Sequence, residues 1–323
     1  MTIHLGIDLG NGALKIFGAA GGLEILSQVA INGGQRVVAT MGLKRMALPL
    51  HIVNTSGSFY VGAGSHDYGR PVENLDVERF NGTPEMMALF HGAMTRYIQQ
   101  YGEFTEPLEL VVGLPQETLS SDSADAAREG VKGWLKGIHH WNADDVDYVL
   151  EVADAKVASQ VSGGLFDYLL DDMGKFIPTR RGAFTGEVGV ISVGFGTVEV
   201  LVVRDRAPVQ RFTAGAASGV RRLLEMLNGQ KLYSLGEMDI QLRAGQLDIS
   251  QALPVWQREV MGVIERQWGN AWRRFSVVLI MGGGAMLLRS TLPFKFAGKG
   301  FMPDNPVMSI ARGLYKMGLL KKG

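Results

Sequence analysis

The chain has 323 residues, 32 basic and 32 acidic side chains, 46% hydrophobic residues and no cysteine. That length suits two domains, because single cores stop growing near ~250–300 residues. A zero net charge provides no global field toward nucleic acid or an anionic membrane, and the lack of cysteine removes disulfides, thiolate metal sites and cysteine nucleophiles.

The first residues read as a strand, without a basic n-region or apolar h-region, so a cytoplasmic location is expected. Ile3 to Phe17 brings Asp8 on an apolar run to a turn of Gly10, Asn11 and Gly12, and an alternating run with Lys15 leads away. Glycines let backbone N–H groups approach an anion, and a carboxylate and an ammonium beside them can hold a metal ion and its phosphates. A phosphate loop is the expectation.

Leu23 to Ile31 is expected as a third antiparallel strand, 33–45 as a polar excursion, and Leu48 to Val53 and Ser58 to Val61 as short strands. Thr83 to Tyr101 has apolar residues at helical spacing behind a Thr-Pro start. Leu108 to Val112 reads as a buried strand ending at Gly113-Leu114-Pro115, followed by a polar stretch and a helix through Leu135. His139, His140, Asp144, Asp145 and Asp147 lack helical metal-ligand spacing and are read as a solvated loop before a strand at Asp147 to Val152.

Ala158 to Leu170 reads as a helix, and polar residues fill Asp171 to Thr185. A strand runs to Val203, Asp205-Arg206 turns it, and Val209 to Thr213 is expected to pair back. Residues 234–275 read as mostly helical, with Trp256, Val260, Ile264, Trp268 and Trp272 in a stripe assigned to core packing. Ser276 to Met281 is an apolar strand, and Val307 to Met317 a closing helix. The longest apolar stretch, Val277 to Leu288, is cut by three glycines and too short to span a bilayer.

The opening pattern returns at one constant offset: Asp8, Gly10, Gly12 and Lys15 align with Ser192, Gly194, Gly196 and Glu199. A duplicated strand-turn-strand unit suggests two related domains facing one ligand. Gly282-Gly283-Gly284 is a third glycine turn directly after an apolar strand, and ligands bind at such strand ends in α/β sheets. No GxxxxGK[ST] motif occurs and no third glycine completes a dinucleotide fingerprint after Gly12.

The ordered set DLGNGALK, GLP, SQVSGGLFDYLL, VGFGTVEV, LIMGGGAMLL and PVMSIARGLYKMG resembles the actin-like ATPases, closest to the prokaryotic plasmid-segregation group. The resemblance implies an α/β, two-domain actin-like fold with a nucleotide cleft between duplicated domains. It implies a first domain of 1–157 and 305–323 with a small subdomain near 32–80, and a second of 158–304 with a helical subdomain near 214–275. ATP or GTP with Mg²⁺ is the implied ligand and a homopolymer filament the implied assembly, with a DNA-binding adapter protein as a further partner and neither direct nucleic-acid nor membrane binding.

Position by position, the resemblance makes Gly10, Asn11 and Gly12 the first phosphate loop, with Asp8 near the waters of the metal and Lys15 reaching phosphate. Gly194, Phe195, Gly196 and Thr197 become the second loop, Gln160 the residue orienting the attacking water, and Gly282, Gly283 and Gly284 the adenosine motif. Ser192 departs from the family's aspartate, and Glu199 stands where a further aspartate is usual. Serine cannot supply a second negative charge near the metal, so slow hydrolysis is expected. The alternatives are a small-molecule kinase of the same superfold and a non-hydrolysing nucleotide-gated scaffold.

Overall fold

A computed structural model describes residues 2–31, 49–72, 77–120 and 123–320. The excursion expected at 33–45 and the terminal Lys321-Lys322 lie outside the described residues.

The first part of the chain forms β1 (Ile3–Leu9), β2 (Ala13–Gly18), β3 (Gly21–Leu26), β4 (Val29–Ile31), β5 (Leu50–Asn54), β6 (Gly57–Val61) and β7 (Arg70–Pro71). Helix α1 (Pro84–Tyr101), β8 (Leu108–Leu114), α2 (Ala124–Leu135), β9 (Gly137–Ala143) and β10 (Val146–Ser159) follow. Their strands make one sheet in the order β3-β2-β1-β8-β10-β9-β5-β6-β4-β7, in which β8 lies parallel between β1 and β10. Thr83 and Pro84 start α1, since proline lacks the N–H that a first helical turn leaves unbonded. Met86, Leu89, Phe90 and Met94 bury its inner face.

The second part comprises α3 (Gln160–Leu169), α4 (Pro178–Thr185), β11 (Glu187–Val193), β12 (Val198–Arg204), β13 (Ala207–Pro208), β14 (Ala214–Ala216) and α5 (Val220–Leu227). It continues with α6 (Leu235–Arg243), α7 (Leu253–Trp268), β15 (Val277–Met281), β16 (Gly300–Phe301) and α8 (Ser309–Leu319). Here the sheet order is β13-β12-β11-β15-β16, with β14 on β12. None of the described helices is long and apolar enough to cross a membrane.

Side-chain alternation along the strands sorts the core into layers. Ile191, Val193, Val278 and Ile280 join Trp256, Val260, Ile264 and Trp268 of α7 in one cluster. The intervening Val188, Val190, Leu279 and Met281 face the other way, into a cluster with Val161, Leu165 and Leu169 of α3 and Ile310 and Leu314 of α8. Val111 of β8 joins this middle cluster, whereas Leu108, Leu110 and Val112 point to the opposite face, toward α1 and α2. Thus α3 and α8 lie between the two sheets.

That crossing is tight because glycines line it. A Cβ at Gly313 would collide with the Gly163 carbonyl, and one at Gly6 with the Ala311 carbonyl of α8. Around the glycines, the buried Asp167 carboxylate of α3 accepts from Ser309 Oγ at 2.6 Å and from Arg312 Nε and Nη2 at 2.6 Å each, with Lys316 Nζ at 3.1 Å. α3 and α8 are thereby joined by packing and by charge.

Several expectations change. The third strand stops at Leu26, and Val29–Ile31 instead pairs with β6 and β7 at the far edge of the sheet. The solvated loop at His139 to Asp147 is the β9–β10 hairpin, with Asp144 and Asp145 at positive φ in its tight turn. Alternating polar residues hid β9 because its outer face is solvated. Residues 178–185 form α4, and the strand expected at Val209 to Thr213 is a 3₁₀ turn at Gln210–Phe212 followed by β14.

Candidate functional site

The repeat seen in the sequence is a repeat in register. Asp8 pairs with Lys15 and Ile7 with Ile16 across β1–β2, as Ser192 pairs with Glu199 and Ile191 with Val200 across β11–β12. Each hairpin has a parallel neighbour on the same side, β8 for β1 and β15 for β11. The carboxyl ends of β1 and β11 therefore carry equivalent glycine turns.

Those turns approach each other. A Cβ at Gly12 would stand 2.6 Å from Phe195 Cβ, and one at Gly196 would stand 2.9 Å from Asn11 Nδ2, so only glycine permits the contact. Arg79 Nη1 donates to Asn11 Oδ1 at 3.1 Å and fixes the tip of the first turn. Gly282 holds φ +96 immediately after β15, a conformation that favours glycine, and its N–H donates to the Pro306 carbonyl ahead of α8.

All fourteen sequence-predicted residues border one cavity of about 410 Å³: Asp8, Gly10, Asn11, Gly12, Lys15, Gln160, Ser192, Gly194, Phe195, Gly196, Thr197, Gly282, Gly283 and Gly284. A ligand pocket usually falls between ~300 and ~1,000 Å³. A larger cavity of about 690 Å³ lies among the β2–β3 turn, α3, α8 and Phe301. Its cations are committed, Arg312 and Lys316 to Asp167 and Arg180 to the Tyr168 carbonyl and ring. What sets the smaller cavity apart is that all three glycine turns border it.

Charge at its floor is closely arranged. Asp8 is buried, with Lys15 Nζ at 3.1 Å from Oδ2 and Gln160 Nε2 donating to Oδ1 at 2.8 Å. Lys15 also donates to the Ala13 carbonyl, and its amine lies 3.2 Å from where a Cβ at Gly10 would be. Ser192 and Glu199 are buried on the facing hairpin. Burial pushes the Glu199 carboxyl up to about 7; the Gln116 N–H donated to it opposes the rise, and Asp8 and Glu117 add to it.

The far end of the cavity escaped the sequence reading. Glu24 of β3, Asp239, Leu242 and Arg243 of α6, and Met286 and Leu287 line it. Arg243 Nη1 donates to Glu24 Oε1 at 2.7 Å and Nε to Asp239 Oδ2 at 2.9 Å. Gln28 Nε2 adds a bond to the Gly236 carbonyl at 2.9 Å. The i,i+4 spacing of Asp239 and Arg243 was the available signal, but it reads the same on any solvated helix.

Two sheets with duplicated hairpins, crossing helices between them and a cleft at the strand ends define the actin-like fold. Residues 6–163 match the family described as the N-terminal domain of actin-like proteins. Over its whole length the chain is similar to the actin-like protein Alp7A, with a TM-score of 0.75, 13% identity, and 99% of this chain and 96% of that chain covered. A 15-stranded ParM filament from Clostridium botulinum gives a TM-score of 0.72 at 18% identity, covering 98% and 99%. The archaeal actin homologue Ta0583, in complex with ADP, gives 0.71 at 16% identity, again covering 98% and 99%. No curated protein matches the sequence.

Proposed function

We propose that the chain binds ATP or GTP with Mg²⁺ in this cleft, hydrolyses it slowly, and assembles with copies of itself into filaments for DNA or plasmid segregation or another cytoskeletal task. The observation that carries the reading is the pair of register-matched glycine turns facing one cavity, with Asp8, Lys15 and Gln160 at its floor. The ParM filament and the ADP complex of Ta0583, two structures of similar fold, support it. A DNA-binding adapter is the proposed link to cargo, because the chain is neutral overall.

The cavity suits a nucleotide. A Cβ at Gly283 would meet nothing within 4 Å, so glycine there leaves space in the cavity wall. Among the described residues no group of three His, Cys, Asp or Glu is set to hold a metal ion. The residue that fits Mg²⁺ is Asp8 on the cavity lining, since the ion keeps its waters and takes one or two carboxylates plus phosphate oxygens. When bound, Mg²⁺ and the nucleotide would supply the leaving group and its charge neutralisation.

The chain's own residues do the positioning on which phosphoryl transfer depends. Lys15 would supply the cation for phosphate, and Asp8 would hold the waters of a bound Mg²⁺. Gln160 commits Nε2 to Asp8, which leaves Oε1 as the acceptor for a proton of the attacking water. Ser192 contributes a neutral hydroxyl where an acid would add charge, and turnover is slow for that reason. We assign 1–157 with 305–323 to one domain and 158–304 to the other, a division supported by the two separate sheets and by the packing of α8 on β1 and β8.

A second reading, a nucleotide-gated scaffold without turnover, is favoured by Ser192. Light scattering and phosphate release, each with and without nucleotide, separate the two. Nucleotide-dependent scattering with slow phosphate release is expected. Scattering without phosphate release selects the scaffold, and a chain that stays monomeric with every nucleotide at high concentration overturns the filament claim.

A further inference from the structure

The two hairpins match in register but not in how they satisfy their charges. Lys15 turns inward to Asp8, its cross-strand partner. Its counterpart Glu199 faces Ser192, which offers no charge, and reaches out of its own hairpin to the first half of the chain. Glu199 Oε1 accepts the Gln116 N–H at 2.7 Å. Gln116 follows Pro115 at the end of β8, on the opposite wall of the cleft.

From Gln116 the connection runs on. Its Oε1 accepts from Ser159 Oγ at 2.8 Å, and Ser159 is the residue at which β10 ends and α3 begins. The next residue is Gln160, bonded to Asp8. A buried acid on β12 is thus linked by two hydrogen bonds to the start of the helix that presents the water-orienting glutamine. An acid that is 2% exposed is costly to retain unless it is bonded to something that needs it.

We propose that Glu199 is a positioning residue: it ties the second hairpin to Gln116 and, through Gln116 and Ser159, sets where Gln160 stands relative to Asp8. Its effect on turnover rests on the nucleotide reading given above; the tether itself exists without ligand. The uncharged Ser192 across the hairpin from Glu199 fits this role. With no carboxylate opposite it, Glu199 has no like-charged partner in its own hairpin and can cross to the other wall.

The test uses the full chain with Glu199→Ala, Glu199→Gln and Ser159→Ala, read by amide hydrogen exchange at Gln116 and over 159–163, and by nucleotide affinity and phosphate release. Glu199→Ala is expected to speed exchange at Gln116 and across 159–163 by about tenfold or more, since a local bond is removed. Nucleotide affinity should stay within about threefold while phosphate release falls about tenfold, the split expected of a group that acts on the transition state. Glu199→Gln keeps the acceptor oxygen and should restore both protection and turnover, and Ser159→Ala should reproduce the turnover loss with Glu199 intact.

Unchanged exchange at Gln116 and 159–163 in Glu199→Ala overturns the tether. Protection restored by Glu199→Gln without restored turnover overturns the positioning role, because charge rather than placement would then matter. A wild-type chain that binds no nucleotide overturns the functional reading instead, and the exchange data still decide the tether.

Discussion

Arg243 of α6 and Glu24 of β3 form an ion pair at 2.7 Å at the far end of the cavity, joining the second half of the chain to the sheet of the first. The Gln28–Gly236 bond lies in the same seam. Opening the cleft by parting these two elements would break both contacts. The pair is partly exposed, so its worth is about 1 kcal/mol, or about fivefold in an opening equilibrium. Arg243 also serves the buried Asp239, which makes Glu24 the cleaner residue to change. Glu24→Gln is expected to speed release of a fluorescent nucleotide by about fivefold at low salt, and an unaltered rate would remove the pair from any gating role.

Lys15 gives a sharper prediction. Its amine is buried beneath the first glycine turn and held by Asp8 and the Ala13 carbonyl, so it is preorganised before a ligand arrives. A hydrogen bond to a charged group is worth ~1.5–3 kcal/mol, so Lys15→Ala should weaken nucleotide binding by roughly 10- to 150-fold in a calorimetric titration. Unaltered affinity would take Lys15 out of the site. The substitution also strips Asp8 of its cation, and Lys15→Met, which keeps the aliphatic stem, controls for lost packing.

What could be read from the residues followed from local signals. Gly10, Gly12, Gly194 and Gly196 declare themselves because a backbone turn with close approach tolerates little else, and the Asp8/Ser192 repeat requires no knowledge of the fold. β15 was legible as an unbroken apolar run because both faces are covered. The Arg243–Glu24 pair was not legible. Its partners are 219 residues apart, and each has an ordinary exposed-surface composition. β9 was hidden for a related reason: one face carries His140 and Asn142 to solvent, and only the fold reveals that His139 and Trp141 pack inward.

The charge clamp between α3 and α8 predicts a stability effect. Asp167 is buried and receives bonds from Ser309 and Arg312, with Lys316 beside it. Removing one member of a buried ionic group leaves the others uncompensated, at a cost of ~3–5 kcal/mol. Asp167→Ala should therefore lower the urea midpoint strongly, and Asp167→Asn, which retains two acceptor-sized atoms but no charge, should fall between it and wild type. A loss of unfolding free energy below about 1 kcal/mol for Asp167→Ala would mean that the glycine packing at Gly163 and Gly313 holds the helices by itself.

Acid should act on the first sheet through a histidine pair. His139 Nε2 lies 2.7 Å from the Leu135 carbonyl, which can only accept, so that nitrogen carries the proton and Nδ1 is an acceptor for His91 Nε2 at 3.3 Å. His91 Nδ1 then accepts from Asn54 Nδ2 at 3.1 Å, and Asn54 cannot turn its oxygen inward because Ser56 N–H holds it. Both rings are neutral, and a further proton finds no acceptor. Burial, with His139 adding to it, lowers His91 from 6.5 to about 3. Because the folded value lies below the unfolded one, the unfolded chain binds the extra proton first. The stability contributed is complete above pH 6.5 and is lost as pH falls toward 3. Glu199 acts in the opposite sense. Its value is raised from 4.5 to about 7, so its burial penalty is full above pH 7 and disappears as pH falls to 4.5. Each unit of displacement is worth about 1.4 kcal/mol, so both effects reach several kcal/mol and partly cancel between pH 4.5 and 6.5. Urea midpoints measured from pH 8 to pH 4 should fall less steeply in His91→Gln than in wild type and more steeply in Glu199→Gln. Parallel profiles for all three proteins would mean that neither residue is the buried titrating group its contacts describe.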